Sequence, residues 1–566
     1  MGRMRRTLAP AVYISSLLAA VLLWPIPLLA STVGTNYTVK SGGGGNYTTI
    51  QQCATAMAAG DTCTVFAGTY NENVTVSAGG VGAYKTLTVN GSDTVFVLSF
   101  TINPHVRING FHIQNPSSPH ARECVFVHGP ATDVYITNNN MTECGTGKNG
   151  AIGVDYASGG NDAVSNSFVQ GNTITYTCTT PGTPGVCRGM TLVGDHWMVE
   201  NNDISHVSDG AYIFVKYLVV RGNTFHDIQS ADCDSGSLSS NCHIDEIQND
   251  PGSPYIAQFQ LLEGNTVKNW VINGGGSGSN ASHGGPLTQC NGGTCGNMIV
   301  RFQLDAHIDG AATSNDYGNW PNVKEYNNTW ADMLHNIGAG AYVNNMTGAT
   351  GGANLNEIYY FTTNPNSWNP YYYGSSGSGQ SYGHALAFCP NESISACSSG
   401  LLDHSSGAFT GDPGNIIADP LFVNYAGNDF HLQATSPALG AGTNLTTASG
   451  SGTNSTSLTV ADAGFFQDGW GFPAGTGLGQ MTPDCLRIGS STVVCIVARG
   501  INYSTNTLTL ASPVSWNSND PVYLYSDSSG TVRLTGIAPS IGAFGLPTVV
   551  GTRPAPPTQL TVVSVN

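Results

Sequence analysis

The chain has 566 residues, of which only 9% are charged, and it carries a formal net charge of −17 with a pI near 5.0. An acidic chain without a Lys/Arg run after its first residues is a poor partner for nucleic acid or for an anionic membrane surface. The many glycines (72), and an apolar fraction rich in Val, Ile and Tyr, favour strands and turns over helices. A chain of this length forms several domains or one domain that grows by repetition.

The N-terminus has the pattern of an export signal. Three arginines among the first six residues precede an apolar run from about Leu8 to Ala30. We therefore predict that residues 1–31 are a signal peptide and that the mature chain is secreted, either extracellular or periplasmic. The run is nearly long enough to span a bilayer, so retention as an N-terminal anchor is the alternative. No later segment is apolar enough to cross a membrane.

The fourteen cysteines form seven couples of short spacing. An even count with short spacings predicts local disulfides, each stabilising by roughly 2 to 3 kcal/mol if unstrained. None of the couples has the C-x2-C spacing of a zinc site. The predicted pairs are Cys53 with Cys63, Cys124 with Cys144, Cys178 with Cys187, Cys233 with Cys242, Cys290 with Cys295, Cys389 with Cys397, and Cys485 with Cys495.

One short pattern recurs along the chain: an apolar-rich strand, then Gly-Asn or Asn-Asn, then an apolar residue. It occurs for example as FVQGNTI (168–174), MVENNDI (198–204) and VVRGNTF (219–225). The last three spacings between the asparagines at this position of the repeat are 21, 42 and 63, which are one, two and three times 21. A period near 21 is one coil of a parallel β-helix, and longer spacings indicate loops inserted at one corner. Because Asn tolerates positive φ and can hydrogen-bond along the axis, we predict structural roles for Asn139, Asn172, Asn202, Asn223, Asn265 and Asn328.

The two ends of this region resemble a known superfamily. Residues 37–76 are similar to the N-terminal cap and first coil of secreted right-handed β-helix proteins of the pectin-lyase-like superfamily, with Ile50 to Ala59 as the capping helix. Residues 416–445 and 536–545 resemble the final coils of bacterial members. The resemblance implies an all-β fold, a right-handed parallel β-helix (solenoid) over residues 36–445. It implies no single reaction, because the superfamily contains lyases, hydrolases, epimerases, esterases and non-catalytic adhesins.

A small all-β module is predicted near the C-terminus. Residues 458–525 alternate apolar and polar residues between Gly/Asn turns, which is typical of antiparallel strands. The two flanking pieces that resemble final coils would normally be almost contiguous, so the residues between them form an insertion. We therefore expect residues 446–528 to be an insertion and residues 529–548 to return to the last coil. Residues 549–566 form a Pro-rich tail.

Ionisable residues concentrate between residues 188 and 309, where equivalent positions of successive coils would line up about 4.8 Å apart. The catalytic candidates are Asp209, Lys216, His243, Asp245, Glu246 and Arg301. The substrate-binding candidates are His206, Gln248 and Gln303, with Trp368, Tyr371 and Tyr372 for stacking on sugar rings. The alternative for the polar set is hydrogen bonding to loop backbone or a solvated face. The alternative for the aromatic set is a long loop folded over the flank of the β-helix.

Two reactions on an extended polysaccharide fit this set of residues. A glycoside hydrolase would use two carboxylates among Asp209, Asp245 and Glu246. A polysaccharide lyase would use Lys216, Arg301 or His243 with a cation such as Ca²⁺ to stabilise the anion formed. The motif series of polygalacturonases and of pectate lyases are both absent from the sequence. A non-catalytic carbohydrate-binding or adhesion protein, and a trimeric phage-like spike, are the alternatives to an enzyme, and the oligomeric state stays open.

Overall fold

The structure is a computed structural model. It describes residues 34–115, 123–144, 150–154, 164–175, 188–228, 244–270, 282–308, 310–311, 313–314, 320–333, 344–345, 350–362, 379–401 and 407–547.

Parallel strands stack into the coils of a β-helix with three sheets, which we name by their place relative to the corner asparagine. Sheet A precedes the asparagine, sheet B follows it, and sheet C closes the coil. Two long strands, Met190–Glu200 and Asp209–Arg221, run from sheet C into sheet A, because each pairs with strands of both sheets. Sheet A also contains Val164–Gln170, Ile256–Glu263 and Thr294–Arg301. The fold predicted from the repeat is confirmed, and a right-handed winding is the rule for parallel strands joined by crossovers.

The remaining strands complete the three sheets. Sheet A also contains Asn36–Val39, Thr62–Val65, Lys85–Val89, Val106–Asn109, Tyr135–Thr137, Val323–Tyr326, Ala353–Leu355 and Ser381–Gly383. Sheet B contains His112–Gln114, Asn140–Thr142, Thr173–Thr175, Asp203–Ser205, Thr224–His226, Thr266–Trp270, Leu304–Ile308, Thr329–Met333, Ile358–Tyr360, Leu386–Phe388 and Ile416–Ile417. Sheet C contains Val125–Val127, Ile152–Val154, Asp245–Asn249, Ser282–Thr288, Gly310–Ala311, Thr313–Ser314 and Asn344–Asn345. Gly68–Val76 and Val95–Ile102 bend between sheets B and C, and Ala131–Thr132 pairs with the start of Val164–Gln170.

A ladder of buried amides runs along the corner between sheets A and B. The Nδ2 of Asn139, Asn172, Asn202 and Asn223 each donates to the Oδ1 of the next corner asparagine at 2.9–3.1 Å. The residue just before the corner takes positive φ, as in Asn201 (52°) and Gly222 (65°), which explains why Gly and Asn alternate at that position. The predicted structural role of these asparagines is confirmed.

The interior of the β-helix is filled by aliphatic stacks. One stack follows the register of sheet A, and every member is at most 1% exposed: Ile108, Ile136, Val169, Val199, Val220, Leu262 and Val300. Branched side chains at equivalent positions of successive coils bury apolar area continuously, so each coil is stabilised by its neighbours.

The N-terminal end is closed by a short helix, Ile50–Ala56. Thr49 caps it by accepting a hydrogen bond from the backbone N–H of Gln52 at 3.2 Å. The helix ends three residues before the predicted Ala59, because Asp61 accepts from the N–H of Ala58 and holds a turn there.

An antiparallel module lies over the outer face of sheet A. Its strands are Thr446–Thr447, Gly452–Thr459, Cys485–Ile488, Thr492–Asn502, Thr507–Trp516 and Pro521–Ser526. Module side chains such as Phe466 and Leu486 pack in one cluster with Met198, Val219 and Leu261, which are in register on sheet A. Sheet A is therefore buried on both faces, which is why its strands read as apolar pairs such as MV, VV and LL.

The C-terminal end of the described chain contains a short α-helix, two 3-10 turns and a hairpin. Helix Ile394–Gly400 and the 3-10 turns Phe409–Gly411 and Tyr425–Gly427 lie here. The antiparallel strands Phe422–Asn424 and Asp429–Leu432 form the hairpin.

The disulfides follow the predicted sequence-local pairing. The described pairs are Cys53 with Cys63, Cys124 with Cys144, Cys290 with Cys295, Cys389 with Cys397, and Cys485 with Cys495. The couples Cys178 with Cys187 and Cys233 with Cys242 lie outside the described residues, as do the predicted signal peptide and the Pro-rich tail. Among the helices that the structure describes, none is both long and apolar enough to cross a membrane.

Candidate functional site

Two predicted carboxylates come together on sheet C. Asp209 and Asp245 are register partners on adjacent coils, where neighbouring strands lie about 4.8 Å apart. Arg188 lies one coil earlier, since the N–H of Gly189 donates to the carbonyl of Asp209, and its Nε contacts Asp209 Oδ2 at 3.0 Å. We call Arg188, Asp209 and Asp245 the carboxylate row.

Aromatic side chains flank the carboxylate row. The guanidinium of Arg188 lies 3.6 Å from the ring centre of Tyr212, and Gln248 is the register partner of Tyr212 on the next coil. The aromatic contacts continue from Tyr212 to Phe214 at 4.8 Å and from Phe214 to Tyr255 at 5.1 Å. A guanidinium, two carboxylates and ring faces are the groups with which proteins hold and cleave sugars.

Sequence reasoning missed Arg188 and Tyr212, although a signal was present. Arg188 precedes Asp209 by 21 residues, which is one coil period, so the repeat already put the two side chains in adjacent coils. Tyr212 follows Asp209 by three residues on the same strand. Applying the coil period to every charged residue, and not only to the asparagines, would have identified the ion pair.

Glu246 and Gln303 lie inside the β-helix, so their predicted contact with a substrate on an open face is wrong. Gln303 replaces an asparagine in the corner ladder, and its Nε2 donates to Glu246 Oε2 at 2.6 Å. Asp305 is beside them, at the register position of the core residues Val267 and Trp330. Burial raises the pKa of Glu246 to about 8, and burial together with the charge of Glu246 raises the pKa of Asp305. Burial therefore shifts both carboxyls towards their neutral, protonated form.

Arg301 is also misassigned as a catalytic cation, because it is fully buried between sheet A and the module. Both of its terminal nitrogens donate to Asp484 at 2.8 Å, its Nε donates to Glu263 at 2.6 Å, and Nη1 donates to Tyr326 at 2.9 Å. Three partners satisfy the guanidinium, so it attaches the module to the β-helix and has no access to a polysaccharide.

Lys216 lies seven residues beyond Asp209 on the same strand, where the strand turns from sheet C towards sheet A. Its Nζ is 4.8 Å from the ring centre of Tyr217, which stacks on Phe259 beside Trp470 of the module. The structure therefore separates Lys216 from the carboxylate row.

His206 lies on the sheet B side, near a group of polar side chains. His226 contacts Asp227 through Nδ1 at 2.6 Å and Asp203 through Nε2 at 2.8 Å. Burial opposes protonation of His226, but the hydrogen bonds with Asp227 and Asp203 prevail and raise its pKa. Burial lowers the pKa of His206, partly offset by the charge of Asp227. Because His206 directly follows a strand of sheet B, whereas Asp209 lies on sheet C, the two side chains belong to different faces of the β-helix.

Four predicted residues lie outside the described residues: His243, Trp368, Tyr371 and Tyr372. Within the described part of the chain, His, Cys, Asp and Glu form no group of three or more that could hold a metal ion. The role of Ca²⁺ stays a prediction.

The fold is similar to that of several solved structures. Pectate lyase Pel9A is 14% identical with a TM-score of 0.39, and the match covers 73% of this chain and 93% of that one. XylC in complex with xylose is 11% identical with a TM-score of 0.41, covering 90% and 98%. PfbA, a surface adhesin of Streptococcus pneumoniae, is 10% identical with a TM-score of 0.32, covering 61% and 89%. No protein-family model and no curated protein matches the sequence. These are likenesses of fold alone.

Proposed function

We propose that this chain is an exported protein that binds an extended polysaccharide along sheet C and cleaves it at the carboxylate row. The observation that supports the proposal is the in-register pair Asp209 and Asp245, with Arg188 bonded to one of them. The solenoid offers a long face with a repeat along its axis, which suits a polymer more than a small molecule. Five described disulfides fit an oxidising compartment outside the cytosol.

Hydrolysis is the reaction that this geometry favours. Two neighbouring carboxylates repel each other's charge, so one holds its proton and can act as general acid while the other is ionised. Arg188 pairs with Asp209 and favours its ionised form, so we assign Asp209 as the ionised carboxylate and Asp245 as the general acid. Adjacent coils place the backbones of Asp209 and Asp245 roughly 4.8 Å apart, which is compatible with the carboxyl separation of about 5 Å in retaining glycosidases. We therefore expect cleavage with retention of the anomeric configuration.

The test is turnover of a panel of neutral and acidic polysaccharides by the purified chain without residues 1–31. Reducing ends and the ultraviolet absorbance of unsaturated uronates are followed together. We expect reducing ends without absorbance, and a loss of at least about a hundredfold in rate for Asp209→Asn and for Asp245→Asn. Asp520→Asn is the matched control, because this carboxylate belongs to the module, where it accepts a hydrogen bond from the N–H of Asn517 in a turn.

A second candidate is binding without cleavage, because a buried carboxylate has no access to a glycosidic bond. Asp209 is 1% exposed and Asp245 is fully buried among the described residues. If a glycan is retained by the protein but neither reducing ends nor absorbance appears, the chain is a carbohydrate-binding protein. New absorbance with unchanged rates in both Asn variants would instead indicate a lyase whose base lies elsewhere.

A further inference from the structure

A second surface with binding chemistry lies on sheet B, away from the carboxylate row. The hairpin Phe422–Asn424 and Asp429–Leu432 lies across this sheet, and its Phe430 packs in one cluster with Leu304 and Ala306. Its tip is fixed where His307 Nε2 contacts Asn428 Oδ1 at 3.0 Å. Between the hairpin and the sheet there is a cavity of about 380 Å³. That volume admits a sugar residue.

One wall of the cavity provides a cation. Lys268, on strand Thr266–Trp270, is partly buried and lines the cavity. Its register partner on the preceding coil, His226, is occupied by Asp203 and Asp227. Within the described part of the chain Lys268 takes part in no ion pair, which is notable where Lys and Arg together number only 18 of 566 residues. An ammonium group that lines a cavity attracts a carboxylate.

The opposite wall provides hydrogen-bonding groups and a ring face. His431 Nδ1 contacts Asp429 Oδ1 at 2.7 Å, which orients the imidazole and leaves Nε2 for a ligand. This hydrogen bond holds the pKa of Asp429 below its usual value, so the carboxylate stays ionised and can accept from hydroxyl groups. Phe544 lies 5.1 Å from the His431 ring and is partly exposed in the same cavity. An aromatic ring beside charged acceptors is the combination that binds a pyranose.

We propose that this cavity binds an acidic sugar residue, with its carboxylate on Lys268, its hydroxyls on Asp429 and His431, and its ring face on Phe544. The choice of ligand class rests on the proposed function, but the site itself is separate from the carboxylate row. The cavity would hold a uronate-containing stretch of the polysaccharide on sheet B while another stretch of the polysaccharide occupies sheet C.

The test measures binding without turnover, by calorimetry on the Asp209→Asn/Asp245→Asn protein with trimers of galacturonate, mannuronate and guluronate and a neutral galactose trimer. We expect Lys268→Met to weaken binding of at least one acidic trimer about tenfold or more and to leave the neutral trimer unchanged. Lys268→Arg should retain the affinity, and Phe544→Ala should weaken both kinds of trimer. Lys40→Met is the matched control, because Lys40 lies over Phe66 at the other end of the β-helix.

The proposal is overturned if no acidic trimer binds, or if Lys268→Met changes acidic binding by less than about twofold or no more than Lys40→Met does. Its failure is distinguishable from failure of the proposed function. Cleavage that requires Asp209 but is indifferent to Lys268 refutes only the second site. Binding that depends on Lys268 in a protein without any cleavage activity refutes only the catalytic proposal.

Discussion

Arg301→Met should loosen the module without unfolding the distant coils. The side chain is fully buried and donates to two carboxylates, those of Glu263 and Asp484, which are themselves at most 1% exposed. Removal of the cation leaves both carboxylates without their charge partner in a medium of low polarity. Breaking a buried pair in this way costs about 3 to 5 kcal/mol.

Hydrogen exchange resolves this cost by region, since local openings have their own free energies. We expect the amides of Cys485–Ile488 to lose about 3 to 5 kcal/mol of opening free energy, and those of Thr62–Val65 to be unchanged. Arg499→Met removes an exposed cation of the same module and should stay within about 0.5 kcal/mol.

A neutral triple variant tests the cause of the loss. Arg301→Met combined with Glu263→Gln and Asp484→Asn leaves no unpaired charge, and should recover at least about 2 kcal/mol of the loss. The reasoning is refuted if Arg301→Met costs less than about 1 kcal/mol, or if the triple variant is no better than the single one.

Three further results are expected. Asn223→Ala removes four hydrogen bonds of the corner ladder, at 2.9–3.1 Å, and should lower the free energy of unfolding by about 2 to 4 kcal/mol in urea titrations; an effect below about 1 kcal/mol would contradict the ladder's stabilising role. Because burial raises the pKa of Glu246 from 4.5 to about 8, its stabilising contribution is complete below about pH 4.5 and is lost as the pH rises through about 8. Glu246→Gln should flatten that part of the stability profile, and an unchanged profile would show that the carboxyl is not protonated in the folded state. Replacing Cys485 and Cys495 by Ala opens a loop of 10 residues and should lower module stability by about 2 to 3 kcal/mol, measured by hydrogen exchange of the module amides. Unchanged exchange rates of those amides would mean that packing against the β-helix alone stabilises the module.

Local patterns of the sequence contained most of the architecture. A coil buries its side chains against the coil before and after it, so the same short pattern has to return once per turn, and the spacing of the corner asparagines shows that period. The described disulfides join cysteines 5 to 20 residues apart, so each closes a loop within about one coil period. Such short separations can be recognised from the sequence alone. The antiparallel module was also predictable, since its strands alternate around nearby turns.

The positions of the ionisable side chains depended on the tertiary structure. Asp245 and Glu246 are neighbours in sequence, yet one lies in the carboxylate row and the other bonds to Gln303 inside the β-helix. Arg301 is buried because Asp484 approaches it from 183 residues further along the chain, a separation that no coil period can indicate. The sequence by itself therefore determined the repeating coil, whose contacts are local, and the tertiary structure decided which charges are exposed, because that depends on which distant segment covers each face.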